Sequence, residues 1–205
     1  MKWTREKIDR VYRIFRKNYA LVPLEVYKND PYKTLISTLL SARTKDEVTY
    51  LASEKLFAKA NNIFELAKLN VSEIERLIYP VGFYKTKAKN LKNLALKIIN
   101  EHKGKIPSTK DKLVQLPGVG SKTANLVLNR VFAKPAIAVD THVHKIANML
   151  GWVNTKTPAQ TEKALHEFIP KRYWSETNKL FVSIGRQYKT KNKILSFLKE
   201  NSLIN

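Results

Sequence analysis

The 205-residue chain is long enough to bury a real core, as one domain or as two small ones sharing a cleft. Lys and Arg number 38 against 17 Asp and Glu, a formal net charge of +21, and 43% of residues are hydrophobic, yet no apolar run reaches the length of a membrane span. There is no cysteine, which excludes disulfides, thiolate nucleophiles, cysteine-held iron–sulfur clusters and cysteine-ligated zinc. So large a positive charge favours a polyanion as partner, nucleic acid first, although biased genome composition or a hot habitat also enriches Lys. His102, His142, His144 and His166 lack any H-E-x-x-H spacing, and no metal site is expected.

Apolar residues recur at helical spacing from one end of the chain to the other. Met1 to Arg16 reads as a charged amphipathic helix with a stripe of Ile8, Val11, Tyr12 and Phe15. It has no apolar stretch before a cleavage site, so secretion is not expected. Tyr32, Leu35, Ile36, Leu39 and Leu40 mark a second helix. Val48, Leu51, Ala52 and Leu56 mark a third, with Asp46 as its N-cap. Ser72 and Glu75 fit a capping box ahead of Leu77 and Ile78, and Pro80 closes that segment. Ala88, Leu91, Leu94, Ala95 and Ile98 form a long stripe ended by Gly104 and Pro107. From Lys193 to Asn205, Ile194, Leu195 and Leu198 predict a short terminal helix that docks. No stretch alternates as a strand does, so the fold class is all-α. Composition marks no domain boundary.

The chemistry concentrates in Leu116-Pro-Gly-Val-Gly-Ser-Lys-Thr-Ala-Asn125. A Pro-Gly-x-Gly turn opens into a helix with Ala124, Val127, Leu128 and Val131 on its buried face. Gly118 and Gly120 permit backbone angles that other residues resist and let a ligand come close. The turn aims backbone N–H groups at whatever sits above the helix start, which makes an anion site. A P-loop is a competing reading that the residues fit poorly: Ser121 and Leu116 occupy its glycine positions and no strand precedes them. A tight corner between helices with no ligand remains the plain alternative. Lys122 stands in the first helical turn, where the dipole prefers acids, so a use for it is worth seeking. Asn125 and Asn129 are polar and place Lys122 off the buried face. Attack on an electrophile and contact with a phosphate are both open to it. Eighteen residues on, Asp140 precedes the stripe Val143, Ile146, Ala147 and Leu150. It reads as an N-cap whose carboxylate keeps capacity for a second partner.

The segment Leu116 to Asn125, followed by Ala136-Ile-Ala-Val-Asp-Thr-His142, closely resembles the endonuclease III family of helix-hairpin-helix DNA glycosylases. Leu39-Leu-Ser-Ala-Arg-Thr-Lys-Asp46 resembles that family's early helix and loop, and Val81-Gly-Phe-Tyr-Lys-Thr-Lys-Ala88 its DNA-inserting loop. The likeness runs from about Asp30 to Arg186.

The resemblance implies a six-helix domain over residues 24–134. A second helical domain, from residues 1–23 plus 135–205, would lie across a DNA-binding cleft. It implies a bifunctional glycosylase and AP lyase of base excision repair, acting on damaged bases, oxidised pyrimidines foremost, or on abasic sites in double-stranded DNA. Lys122 would be the nucleophile and Asp140 its carboxylate partner. Gly118, Val119, Gly120, Ser121 and Thr123 would contact DNA, and His142 would be a site histidine. Arg43 stands where the family has a glutamine that fills the vacated stack, and Phe83 where many relatives have a leucine wedge. The family's usual [4Fe–4S] cluster cannot form without cysteine. Its structural job would pass to packing of Tyr188, Ile194, Leu195 and Leu198, and its basic contacts to Lys189, Lys191 and Lys193. The expected protein is a cytoplasmic, nucleoid-associated monomer with no cofactor and no membrane contact. An AP lyase, a glycosylase for a mismatched or oxidised purine, and a non-catalytic DNA-binding module are the other readings.

Overall fold

Helical spacing of apolar residues dictates the architecture that forms. The computed structural model describes residues 3–22, 25–27 and 30–204. Among them are twelve α-helices, two short 3-10 turns and no strand. In chain order the helices are α1 (Arg5–Lys17), α2 (Pro31–Ser41), α3 (Asp46–Lys59), α4 (Ile63–Lys68), α5 (Val71–Ile78) and α6 (Tyr84–His102). They continue as α7 (Lys110–Val114), α8 (Ser121–Phe132), α9 (Thr141–Met149), α10 (Pro158–Phe168), α11 (Trp174–Tyr188) and α12 (Lys191–Glu200). No helix among the described residues is long and apolar enough to cross a membrane.

The chain divides into two units, one of Met1–Val22 with Lys134–Asn205 and one of Pro23–Ala133. The expected boundary at residues 23 and 24, the first two residues and Asn205 lie outside the described residues.

The Pro23–Ala133 unit is organised on α2. Eight of its residues, Tyr32 and Thr34 to Leu40, are buried, so it is enclosed on most sides. It packs against α3 and α8, and α4 and α5 pack on the long α6. Asp30 caps α2 by accepting from the Lys33 N–H at 2.9 Å, with Pro31 in the first turn where its missing donor is harmless. Helix α6 buries the expected stripe of Ala88, Leu91, Leu94, Ala95 and Ile98.

Three expectations about α3 and α5 fail. The capping box of α5 is formed by Asn70 and Glu73, not by Ser72 and Glu75. Asn70 Oδ1 accepts from the Glu73 N–H at 2.9 Å, and Glu73 Oε2 from the Asn70 N–H at 2.8 Å. Both pairs carry the right residue types, and the helix takes the one that turns Ile74 and Ile78 inward. Helix α3 is capped at Lys45 and not at Asp46, which stands in the first turn beside Glu47. There it meets the positive end of the dipole. The buried face of α3 is Thr49, Ala52, Ser53, Leu56 and Phe57, and Leu51 is 62% exposed.

In the other unit, α1 docks on α11. It begins after the Thr4 cap, and Ile8, Val11, Tyr12 and Phe15 are all buried. The Tyr12 ring stacks on Tyr173 with centroids 3.9 Å apart, and its hydroxyl pairs with Thr177 Oγ1 at 2.7 Å. Burial pushes that phenol well above its ordinary pKa. Arg16 forms a bidentate pair with Glu176 at the edge of the same contact.

Helix α12 closes this core with Ile194, Phe197 and Leu198, and Leu195 is half-buried. The helix begins at Lys191, two residues earlier than expected, because Thr190 accepts from the Lys193 N–H and caps it. Phe197 had not been singled out, yet its ring lies 4.5 Å from Tyr188 and 6.0 Å from Phe15. Truncating it removes a buried aromatic from a junction of three helices. Phe197→Ala is expected to lower unfolding stability by about 3–5 kcal/mol in urea titrations, and Leu51→Ala by less than about 0.5 kcal/mol. Equal losses would contradict the burial assigned to the two positions.

Candidate active site

The entrance to α8 is shaped by its turn. Leu116 is buried, and its carbonyl accepts from the Val119 N–H at 3.1 Å. Gly118 has φ +79°, the left-handed region where a side chain is strained, and an added Cβ would sit 3.1 Å from Asn90 Nδ2 on α6. Gly120 differs from expectation. Its backbone is extended, with φ −95° and ψ 176°, which any residue adopts. A Cβ there would meet nothing within 4 Å, so the open space above the helix start is what distinguishes the position. Gly120 is the N-cap and has no side chain to cap with.

Lys122 is exposed on this first turn, with Ser121 and Thr123 half-buried beside it. Val119 is 7% exposed, and its N–H donates within the turn to the Leu116 carbonyl. Asn125 was expected to flank Lys122 on a polar face, but it is 1% exposed. Helix α8 instead buries an unbroken run from Ala124 to Leu128, and Val131 is half-buried. Lys122 lies outside because it precedes that run.

Asp140 caps α9. Its Oδ1 accepts from the N–H groups of His142 at 3.0 Å and Val143 at 2.9 Å, which leaves Oδ2 for another partner. The approach to it, Ala136 to Val139, is buried. Asn178 on α11, itself buried, donates from Nδ2 to the Ala138 carbonyl at 2.9 Å and fixes that segment. Sequence reasoning missed Asn178. Its signal is an amide amid the apolar stripe of α11, beside Leu180 and Phe181.

His142 lies against α11, where a Cβ on Gly185 would collide with its Nδ1. It shares the wall of a cavity of about 750 Å³ with Lys145, Lys189, Lys191, Ile194 and Leu195. His144 is tied to Thr161 Oγ1 at 2.7 Å. The described residues hold no group of three or more His, Asp or Glu suited to a metal. With no cysteine in the chain, the α11–α12 region does not fit a thiolate-held cluster.

Arg43 and Phe83 are brought together. Both are exposed, both are non-glycine residues in the left-handed region (φ 54° and 57°), and the Arg43 guanidinium lies 5.4 Å from the Phe83 ring centroid. Gly82 separates them from a clash, since a Cβ there would come within 2.5 Å of the Arg43 carbonyl oxygen.

Residues 36–171 match the family described as HhH-GPD superfamily base excision DNA repair protein. Endonuclease III of Thermotoga maritima is 45% identical over 160 residues, 78% of this chain and 75% of that protein. Endonuclease III-like protein 1 of Mus musculus is 42% identical over 76% of this chain, and the match spans 53% of the mouse protein. A solved structure of a trapped endonuclease III–DNA covalent intermediate has TM-score 0.79 and 31% identity, over 92% of this chain and 89% of that one. The chain belongs to the HhH-GPD superfamily of base excision DNA repair proteins. Within it, the chain is a DNA glycosylase and AP lyase of the endonuclease III type.

The two glycines of the turn should separate in a stability assay. Gly118→Ala is expected to cost about 1 kcal/mol or more through its positive φ, and Gly120→Ala less than about 1 kcal/mol. Thermal melts of the pair check this, and a larger loss at Gly120 would contradict the assigned geometry.

Proposed function

We propose that this chain removes damaged bases, oxidised pyrimidines foremost, from double-stranded DNA and then cleaves the strand through a Lys122 Schiff base. The observation that carries this reading is an exposed amine on the first turn of α8, beside an uncapped helix start with open space over Gly120. A flipped nucleotide needs such an approach, because its C1′ is unreachable within the stack. A phosphate can accept from the first-turn amides while the amine reaches the sugar.

In the proposed reaction the neutral Lys122 amine attacks C1′. The C1′–N bond breaks, and its electron pair leaves with the base. Asp140 takes a proton from the attacking nitrogen and offsets positive charge on the sugar. The sugar ring opens to a protonated imine at C1′, which acidifies the C2′ hydrogens. Loss of a C2′ proton drives out the 3′ phosphate by β-elimination, and water then hydrolyses the imine to free the enzyme. A solved relative is a trapped endonuclease III–DNA covalent intermediate, and an amine nucleophile would form such a bond. Asp140 can cap α9 through Oδ1 and act through Oδ2, so its two roles do not compete.

Arg43 and Phe83 would enter the stack left by the flipped nucleotide, as a stacking cation and a wedge. His142, with Lys189 and Lys191 nearby, would face the phosphates. Work as a monomer at the nucleoid of a prokaryotic cytoplasm belongs to the same proposal.

Borohydride trapping on an abasic duplex tests the chemistry. Lys122→Ala is expected to lose the covalent adduct and at least about 10³-fold of strand cleavage while retaining DNA affinity, and an adduct in that variant would overturn the assignment. Gly120→Ala should weaken duplex binding by about tenfold, since its Cβ enters the space a phosphate would use. Asp140→Asn keeps a capping oxygen, so stability should hold within about 0.5 kcal/mol while base removal slows by about 10²-fold or more. Unfolding together with equal loss of both activities would leave Asp140 as a cap alone.

A further inference from the structure

Lys87 stands one turn into α6 and is half-buried. Its Nζ donates to the Leu40 carbonyl at 2.8 Å, the Ala42 carbonyl at 2.6 Å and Thr44 Oγ1 at 3.2 Å. An ammonium has three N–H donors, and each has an acceptor here. Leu40 and Ala42 belong to the C-terminal end of α2, where carbonyls lack helical partners and a cation is favoured. Lys92 does the same at the end of α4, donating to the Ala67 and Leu69 carbonyls.

What sets Lys87 apart is what it joins. Its backbone N–H donates to the Phe83 carbonyl at 2.9 Å. Its side chain grips the loop on both sides of Arg43. The same loop is fastened a second time, because Thr44 Oγ1 accepts from the Gly82 N–H at 3.1 Å. A single residue therefore holds the neighbours of Arg43 with its amine and Phe83 with its backbone.

We propose that Lys87 is a positioning residue for opening the base stack: it locks the Arg43 loop onto the start of α6, so that Arg43 and Phe83 meet DNA as one preformed wedge. This rests on the reading of Arg43 and Phe83 as groups that enter the stack. Two left-handed non-glycine residues 5.4 Å apart are an arrangement a free loop would abandon. A wedge that must order itself on DNA loses part of its binding energy to that ordering, and a prefastened one does not.

Burial lowers the Lys87 amine to about 8, a direction that often marks a nucleophile. The geometry assigns it otherwise. All three donors are engaged by the chain's own oxygens, so the amine is a clasp and cannot attack a sugar.

The test reads stack opening apart from chemistry. A duplex carries a tetrahydrofuran abasic analogue with 2-aminopurine opposite. Binding of the unaltered protein should raise the fluorescence as the base unstacks. Lys87→Met keeps the stem and loses the clasp. At saturating protein it should show at most about a third of that rise, while cleavage of a single-stranded abasic oligonucleotide, which has no stack to open, stays within about twofold. Thr44→Val, a milder change, should give an intermediate rise and guards against misfolding of the first variant. In the triple variant with Arg43→Ala and Phe83→Ala, Lys87→Met should add nothing further.

A full fluorescence rise in Lys87→Met overturns the proposal. So does equal loss on single- and double-stranded substrates, or an effect that adds to that of the wedge alanines. If the unaltered protein cleaves no abasic strand, the lyase reading fails, and the fluorescence arm still decides the role of Lys87.

Discussion

The turn from Leu116 to Gly120 is the constraint on which the site depends. A buried leucine anchors one end, a left-handed glycine reverses the chain, and the other end must start a helix with no capping side chain. Any residue placed just after it stands at the positive end of α8, next to the open space over Gly120. An acid would be more stable there, and the chain places Lys122 instead. A sequence selected only for stability would avoid that choice. Asp140 is the opposite case, an acid where the α9 dipole wants one. The two groups thus enter the proposed chemistry from different conditions: the carboxylate is held at no cost to its helix, and the amine is held against a preference.

The helices were legible because each buried face repeats at three and four residues, as in α1 and α6, where every expected position is buried. The errors fall where two residues of the same type compete. Asn70 and Ser72 can both cap, and only packing of Ile74 and Ile78 chooses between them. Leu51 and Phe57 can both face inward, and packing of α3 against α2 and α5 chooses Phe57. Asn125 looked like surface because amides are usually exposed, and α8 buries it because the helix is enclosed on most sides. Of the site, the turn and Asp140 were readable from motif and cap. Asn178 and Lys87 were not, since each acts on a carbonyl 40 or more residues distant along the chain.

The lysine excess carries less information than its size suggests. Lys87 and Lys92 end helices, and Arg16 and Arg172 pair with Glu176 and Asp9. These cations hold the fold, and the two arginines are paired with carboxylates. In the proposed reading the charge that bears on a polyanion is the remainder, such as Lys122 on its turn and Lys189 and Lys191 beside His142. Position selects among them, and composition does not.

The cluster that the family resemblance implies cannot be held by a chain without cysteine, so packing alone must order the C-terminal region. A metal cluster fixes a loop through a few strong bonds whose geometry is set by the metal. Helix α12 is capped by Thr190 and seated by Ile194, Phe197 and Leu198 on a core that already contains Phe15 and Phe181. Such packing is spread over many weak contacts, so its stability follows buried area and not redox state. It also leaves the lysines at the start of α12 exposed. The phosphate contacts proposed for Lys189 and Lys191 then need side chains alone and no metal.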